Sequence, residues 1–472
     1  MNLHTPEHAE HAGSQGASQG KVEAAAAETQ SSERIAIVGG GLAGSMLTLA
    51  LAQKGYAVDL YERQPDPRRQ GGRAGRSINL GLSKRGMQAL EMVGLLQTVL
   101  DTAVVMSGRV IHAPDGSTRY QPYGKDASEV LHSIDRNQLG HLLLDHAERH
   151  PQVRLHFGHR LAHVDKAART IEFDTDQGQV VVQPQWLVGA DGAFSSARRE
   201  LQRGERANYH QEYLEWGYKE LTLAPGADGK SVIELTALHV WPRSHCLFVS
   251  HPNRDGSHTL TLFLPFEGED SFATVRTPEE ISALIGKYFP DLVRLLPGLI
   301  EEWMKHPVGS LITTRTSPWA FGDWAVLVGD ACHAVYPFYG QGMNSAFEDC
   351  CVLVSSLLAS QGDTAKAFQS YEQARRQHTD VLCELSKENF VELRKKVQSP
   401  WFVARKRLDI ALNRLWPKRW LPLYTMIAHT TMPYGEARAR ALQQDSILTR
   451  AAKALAAVAV VAIGAVAWWW LR

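Results

Sequence analysis

The chain has no surplus of charge of either sign: Lys+Arg and Asp+Glu both number 50, for a formal net charge of zero. A nucleic-acid surface draws on a basic balance, so no nucleic-acid partner is expected. Cysteine is scarce. The five, Cys246, Cys332, Cys350, Cys351 and Cys383, are odd in number and form no C-x-x-C pair. That argues against a disulfide framework and fits free thiols in a reducing compartment. Zinc-type Cys/His spacing is missing too, and no metal site is expected. Residues 1–32 lack an apolar core and a basic head, so they are not read as a secretory signal. Their Ala, Gln, Ser, Gly, Glu and His read as a disordered tail, with His4, His8 and His11 solvated in it.

What is present is an ordinary globular composition, 44% hydrophobic over 472 residues, which suits two or three domains. The run Ile35-Ala36-Ile37-Val38 suits a strand buried on both faces of a parallel sheet. Gly39, Gly40 and Gly41 follow, then a helix-forming stretch to Gln53 that Gly55 stops. Residues 57–61 form a second strand with Glu62 at its end. In this βαβ opening, Gly39 permits the tight turn and Gly41 lets the backbone approach a pyrophosphate. Gly44 lets helix and strand pack closely. The helix N-terminus attracts the phosphates. Glu62 can accept hydrogen bonds from an unphosphorylated adenosine ribose, as in FAD or NAD.

Further along, the pattern predicts a helix over 130–150 and strands near 153–164 and 170–188. Short β runs at 235–241, 246–250 and 259–266 predict a mostly antiparallel sheet. A helix is expected over 278–306 and another buried parallel strand over 325–328. Residues 343 to about 450 read as mostly helical, with breaks around Pro400, Pro417 and Pro433. The expected fold class is α/β. An FAD-binding Rossmann-like domain would cover 33–205 and 308–360. A β-sheet substrate domain would cover 206–307 and a helical C-terminal region 361–450.

Residues 454–471 stand apart. They carry no charge and end in Trp468-Trp469-Trp470. As a helix they would run roughly 27 Å, the lower edge for crossing a bilayer. The triple Trp suits a membrane interface, and Arg438, Arg440, Arg450 and Lys453 before it would keep that flank cytoplasmic. The expectation is a cytoplasmic protein with a candidate membrane anchor. The alternative is an Ala-rich helix packed on protein.

Two further motifs carry chemistry. Val188-Gly189-Ala190-Asp191-Gly192 precedes Ser195, Arg198 and Arg199. Val328-Gly329-Asp330-Ala331-Cys332-His333 precedes Pro337, Gly340-Gln341-Gly342 and Met343-Asn344. Asp330 could bond flavin ribityl hydroxyls. The amides of 342–344 would face the flavin's pyrimidine edge, where a helix end stabilises negative charge on the reduced ring.

Together the three motifs resemble the single-component flavin-dependent aromatic hydroxylases. Finer features make the chain look like the kynurenine 3-monooxygenase family over about residues 33–440. They are Gly75-Arg76-Ser77-Ile78-Asn79-Leu80, Tyr218-Lys219-Glu220-Leu221, Leu238-His239-Val240-Trp241-Pro242, Pro337-Phe338-Tyr339-Gly340-Gln341-Gly342-Met343-Asn344 and Pro422-Leu423-Tyr424-Thr425-Met426. The resemblance implies FAD as cofactor, NADPH as co-substrate, and L-kynurenine and O2 as reactants, in a step of tryptophan degradation. NADPH would reduce the FAD and oxygen would add at flavin C4a. The ring would then be hydroxylated ortho to the aniline nitrogen, with no side-chain nucleophile.

The same resemblance places the substrate-binding residues on Arg109, Tyr123, Asn389 and Tyr424. A guanidinium suits the kynurenine carboxylate because it offers two parallel hydrogen bonds. Beside Gly39, Gly41, Gly44 and Asp191, the implied flavin contacts fall on Ala43, Tyr61, Glu62, Arg63, Gln64, Gly81, Arg136, Leu161, Asp330, Met343 and Asn344. Three positions depart from the family pattern: Gly81 where Ala is usual, Tyr339 for Phe or His near the presumed ring site, and Cys332 for Ala. Two alternatives stay open, a hydroxylase of another aromatic acid and a non-catalytic flavin-binding protein at a membrane.

Overall fold

The computed structural model describes residues 33–69, 79–396 and 399–471. The N-terminal segment with its three histidines, and residues 75–78 of the Gly75–Leu80 motif, lie outside the described residues. The Ile35–Val38 strand is buried at every position, as its unbroken apolar run requires. It sits inside a six-stranded sheet ordered Ala320–Phe321, Ala325–Leu327, Trp186–Gly189, Ile35–Val38, Val58–Glu62, Val153–Phe157. Every pairing is parallel except that of the Ala320–Phe321 edge. The Leu42–Ala52 helix is apolar nearly all round and almost wholly buried, packed between the Arg136–Glu148 and Gly342–Ala359 helices.

Three sequence expectations are corrected. The helix predicted over 130–150 begins at Arg136, because Asp135 caps it and accepts from the Gln138 N–H at 2.8 Å. A capping residue takes extended backbone, so the segment before it is free to form a strand. Leu131–Ile134 does so, between Leu80–Leu82 and Val104–Met106. The 170–188 stretch splits three ways. Thr170–Thr175 and Gly178–Val182 join Arg160–Asp165 in a separate antiparallel sheet, while Trp186–Gly189 enters the parallel one. Over 278–306 there are two helices, Pro278–Tyr288 and Leu299–Lys305. Pro290 and Pro297 lie between them and interrupt helical hydrogen bonding.

The second large sheet has seven strands, ordered Gly309–Ser317, Asn208–Leu223, His258–Pro265, Leu247–Pro252, Ala237–Pro242, Gly108–His112, Thr118–Pro122. It takes in strands from both sides of 206–307. Its one parallel pairing sets Leu238 opposite Arg109. Strand alternation gives it two faces. Trp241, Phe248, Leu260, Leu262 and Leu264 pack with Ile281, Ile285 and Trp303 of the two helices behind. Leu238, Val240, Val249 and Phe263 point the other way, into a cavity.

The C-terminal part is helical at Thr364–Val391, Pro400–Leu415, Leu423–Ala428 and Tyr434–Trp470. The last helix is continuous through 454, where the sequence suggested a separate tail, since no proline interrupts it.

Candidate active site

A cavity of about 430 Å³ lies between the turns of the parallel sheet and the face of the seven-stranded sheet. That is the size of a small-molecule site. Its walls bring together Gly41, Ala43, Gly81, Arg109, Tyr123, Arg136, Asp330, Met343 and Tyr424, all named from the sequence.

The three fingerprint glycines do different things. Gly39 has φ +110°, and a Cβ there would lie 2.5 Å from the Ala190 carbonyl oxygen. A Cβ on Gly44 would lie 1.9 Å from the Gly39 carbonyl oxygen, so close packing forbids one. Gly41 has open space where a Cβ would go and lines the cavity at the N-terminus of the Leu42–Ala52 helix. That open space beside unpaired helix amides fits a pyrophosphate. Glu62 closes the Val58–Glu62 strand, and its carboxylate accepts from the Gly40 N–H at 2.7 Å and the Gln64 N–H at 2.8 Å. Each oxygen keeps a lone pair for a ribose hydroxyl.

On the far side, Asp330 faces the cavity. Burial pushes its carboxyl above the ordinary value, against the pull of His333 and Arg136. Its turn is anchored by Asp349, a buried acid the sequence reading missed. Asp349 accepts from Gly329 N–H at 3.2 Å, His333 Nε2 at 2.6 Å and Arg375 Nε at 2.7 Å. The sequence signal was an acid among the mostly apolar residues of the Gly342–Ala359 helix that turn inward. The donors, the open turn and the cavity-facing acid together fit an FAD.

Other named residues stand outside the cavity lining. The Tyr61 ring stacks between His156 and Phe173, with centroids at 4.6 and 4.3 Å, and Leu161 is in the core. Arg63 and Gln64 are exposed just beyond Glu62. Asp191 caps the Ser196–Gln202 helix, accepting from the Ser195 hydroxyl and from the Ser196 and Ala197 N–H groups. Asn344 is a staple: its amide donates to Gly81 O and Gly340 O, both at 2.8 Å, and accepts from Ser83 N–H at 2.9 Å. Asn389 donates to Phe338 O at 2.6 Å and so holds a cavity wall in place.

Gly81, the departure on the flavin side, has room: a Cβ there would meet only Leu131, at 3.9 Å. Gly81→Ala is therefore expected to keep FAD occupancy and thermal stability within about 0.5 kcal/mol of the parent. A flavin-to-protein absorbance ratio and a melting curve check this. Cys332 is wholly buried, and burial raises its thiol well above the ordinary value, so it is no nucleophile.

Arg109 sits at one end of the cavity against two stacked phenols. Tyr123 and Tyr424 are 5.3 Å apart, with the guanidinium 5.5 and 5.2 Å from their centroids. Tyr339 extends the stack, 6.0 Å from Tyr424, so this departure lies at the Arg109 end. Burial raises all three phenols, which keeps them protonated. Among the described residues no carboxylate comes within ion-pair distance of Arg109. Tyr218, quoted from the sequence only as part of a family motif, and His251, which the sequence reading missed, also line the cavity. Strand periodicity could have placed His251 on the face of Val249.

The fold and this cavity define an FAD-dependent monooxygenase of the aromatic-hydroxylase type. A family model described as FAD binding domain matches residues 33–386. The chain is 51% identical over 433 residues to kynurenine 3-monooxygenase of Salinispora tropica, covering 91% of this chain and 95% of the relative. It is 43% identical over 419 residues to that of Xanthomonas campestris pv. campestris, covering 88% and 91%. The chain belongs to the kynurenine 3-monooxygenase family. The tetrameric form of 2-methyl-3-hydroxypyridine-5-carboxylic acid oxygenase shares the fold, with a TM-score of 0.64 at 21% identity over 78% of this chain and 94% of that one.

Proposed function

We propose that the protein hydroxylates L-kynurenine to 3-hydroxykynurenine, with FAD as bound cofactor and NADPH and O2 as co-substrates. Family membership supports the reaction. The observation that carries the substrate is Arg109, a guanidinium with no carboxylate within ion-pair distance among the described residues, at the end of a mostly apolar cavity. A desolvated cation of this kind is satisfied by a ligand carboxylate, which the planar fork binds through two parallel hydrogen bonds. Tyr123 and Tyr424 fix the orientation of that fork by stacking on it. Asn389 holds Phe338, whose ring packs on Phe263 at 5.0 Å and closes the aryl part of the cavity.

Bound FAD supplies reduction by NADPH and activation of oxygen. On the flavin side, Glu62 would hold the adenosine ribose, the amides beyond Gly41 the pyrophosphate, and Asp330 and Arg136 the ribityl chain. The amides at Gly342 and Met343, which line the cavity, would stabilise the pyrimidine edge. The ring amine of kynurenine already activates the carbon ortho to it, so the protein's task is to orient the ring and exclude water. Incubation with NADPH, O2 and kynurenine should yield 3-hydroxykynurenine by chromatography with mass detection. NADPH oxidation that gives only peroxide, or no dependence on kynurenine, would overturn the reading.

We infer that the C-terminal helix anchors the protein to a membrane. Residues 451–471 are exposed throughout, and the 454–471 part is uncharged and apolar. An exposed apolar surface of this length calls for a hydrocarbon partner. Arg438 and Arg440 are tied to Glu388 and to the carbonyls of Lys418 and Arg419, which leaves Arg450 and Lys453 as the exposed cations on the cytoplasmic flank. Deleting residues from Ala451 onward should move the protein from the membrane to the soluble fraction with its activity intact. An intact chain that stays soluble without detergent would refute the anchor.

A further inference from the structure

The cavity floor contains one imidazole. His251 lies on the Leu247–Pro252 strand, on the same face as Val249, and lines the cavity with Leu238, Val240 and Phe263. Its Nδ1 is buried without a hydrogen-bond partner. No described residue pairs with its other nitrogen. Strand geometry accounts for this isolation. His251 stands opposite Thr259, whose hydroxyl is already bonded to Asn79, and the Asn79 amide is itself committed to Ser133, Pro252 O and Asn253. Thr261, opposite Val249, also lines this face of the cavity. Burial drives the His251 pKa down to about 4, so the ring is neutral near pH 7 and offers one acceptor nitrogen. A half-turn of the ring exchanges the positions of its two nitrogens for carbons, so either can be presented to the cavity.

The position along the cavity matters. Arg109 is on the Gly108–His112 strand, and the Ala237–Pro242 strand lies between it and the strand of His251. The two backbones are thus separated by roughly 10 Å at the usual strand spacing. A substrate whose carboxylate rests on Arg109 extends its aryl end toward His251. That end of kynurenine carries a ring amine. One amine hydrogen is satisfied by the neighbouring ketone of the same molecule, and the other points outward and needs an acceptor. Buried donors left without one are costly.

We propose that His251 is a specificity-determining residue that accepts a hydrogen bond from the ring amine of the substrate. This rests on the kynurenine reading above and adds a polar contact at the aryl end. The contact also has a kinetic side. As the ring is hydroxylated, the amine donates electron density into it and its N–H becomes a stronger donor. An acceptor there gains in the transition state over the ground state, which raises kcat as well as affinity.

The test compares two ligands in the FAD-loaded protein by flavin absorbance titration: kynurenine, and its analogue with hydrogen in place of the ring amine. A neutral hydrogen bond at this site is expected to favour kynurenine about 2- to 10-fold in the parent. In His251→Leu that preference should fall to one or below, because the amine hydrogen is then buried without an acceptor, while analogue affinity changes little. His251→Gln keeps an acceptor and should retain part of the preference. A packing defect would weaken both ligands alike and leave the ratio in place. Should His251→Leu fail to hold FAD, His251→Val, which matches the neighbouring Val240 and Val249, serves for the same comparison. An unchanged preference in the apolar variants would overturn the assignment of His251 alone. Failure of the parent to bind kynurenine at all would overturn the substrate reading instead.

Discussion

Arg109→Ala is expected to weaken kynurenine binding roughly 30- to 5,000-fold while FAD occupancy stays at the parent level. The span follows from the loss of one member of a desolvated charge pair, about 2–5 kcal/mol. The structure favours a large effect because, among the described residues, no carboxylate is within ion-pair distance of Arg109, which leaves its fork to the substrate's carboxylate, and Tyr123 and Tyr424 flank the guanidinium. FAD is expected to stay because its fingerprint, Gly39 to Gly44 and Glu62, belongs to the parallel sheet, whereas Arg109 belongs to the seven-stranded one. Arg109→Lys should recover only part of the loss, since an ammonium keeps the charge without the planar fork. Titration of kynurenine against flavin absorbance, with FAD content measured in the same samples, decides the matter. Parent-like affinity in Arg109→Ala would reject the assignment, and a matching loss of FAD would show that Arg109 serves the fold.

Much of the flavin side was legible in the sequence because it is built from local rules. A β-branched run, three glycines at fixed spacing and an acid closing the next strand each have one physical meaning, and each stands where it was expected. The substrate side was legible only through family resemblance. Arg109 and Tyr123 meet across the antiparallel pair of Gly108–His112 with Thr118–Pro122, Tyr424 joins them from the distant Leu423–Ala428 helix, and a parallel crossover pairing sets Gly108–His112 against Ala237–Pro242 at the cavity wall. No local pattern encodes that crossover. The same holds for Asp349 and Arg375, which anchor the Asp330 turn from two different helices.

Some residues that the sequence tied to the flavin have side chains bonded within the protein. Asn344 and Asp191 look like ligand contacts in a motif, yet their side chains are spent on main-chain groups. Such residues shape the turn whose amides face the cavity. A motif records that a position is constrained, and only the hydrogen-bond partners reveal whether ligand or backbone imposes the constraint.

Gly41 and Gly44 make that distinction measurable. Gly41 has φ −71° and ψ −176°, ordinary extended backbone, and nothing lies within 4 Å of where its Cβ would be. A side chain there costs the empty fold little, and Gly41→Val apoprotein should unfold within about 1 kcal/mol of parent apoprotein. The added methyls would occupy the space in which the pyrophosphate meets the Leu42–Ala52 helix, so flavin retention should fall to near zero. Gly44→Ala is the opposite case. Its Cβ would sit 1.9 Å from the Gly39 carbonyl oxygen, and relief requires the helix to move off the Ile35–Val38 strand. Overpacking of this kind costs about 1–3 kcal/mol or more. Gly44→Ala is therefore expected to lower the melting temperature of the apoprotein as well as FAD content. Both proteins should be compared after FAD removal, because bound ligand stabilises the parent by mass action. A yellow, FAD-loaded Gly41→Val protein would show that the pyrophosphate does not pass over this turn.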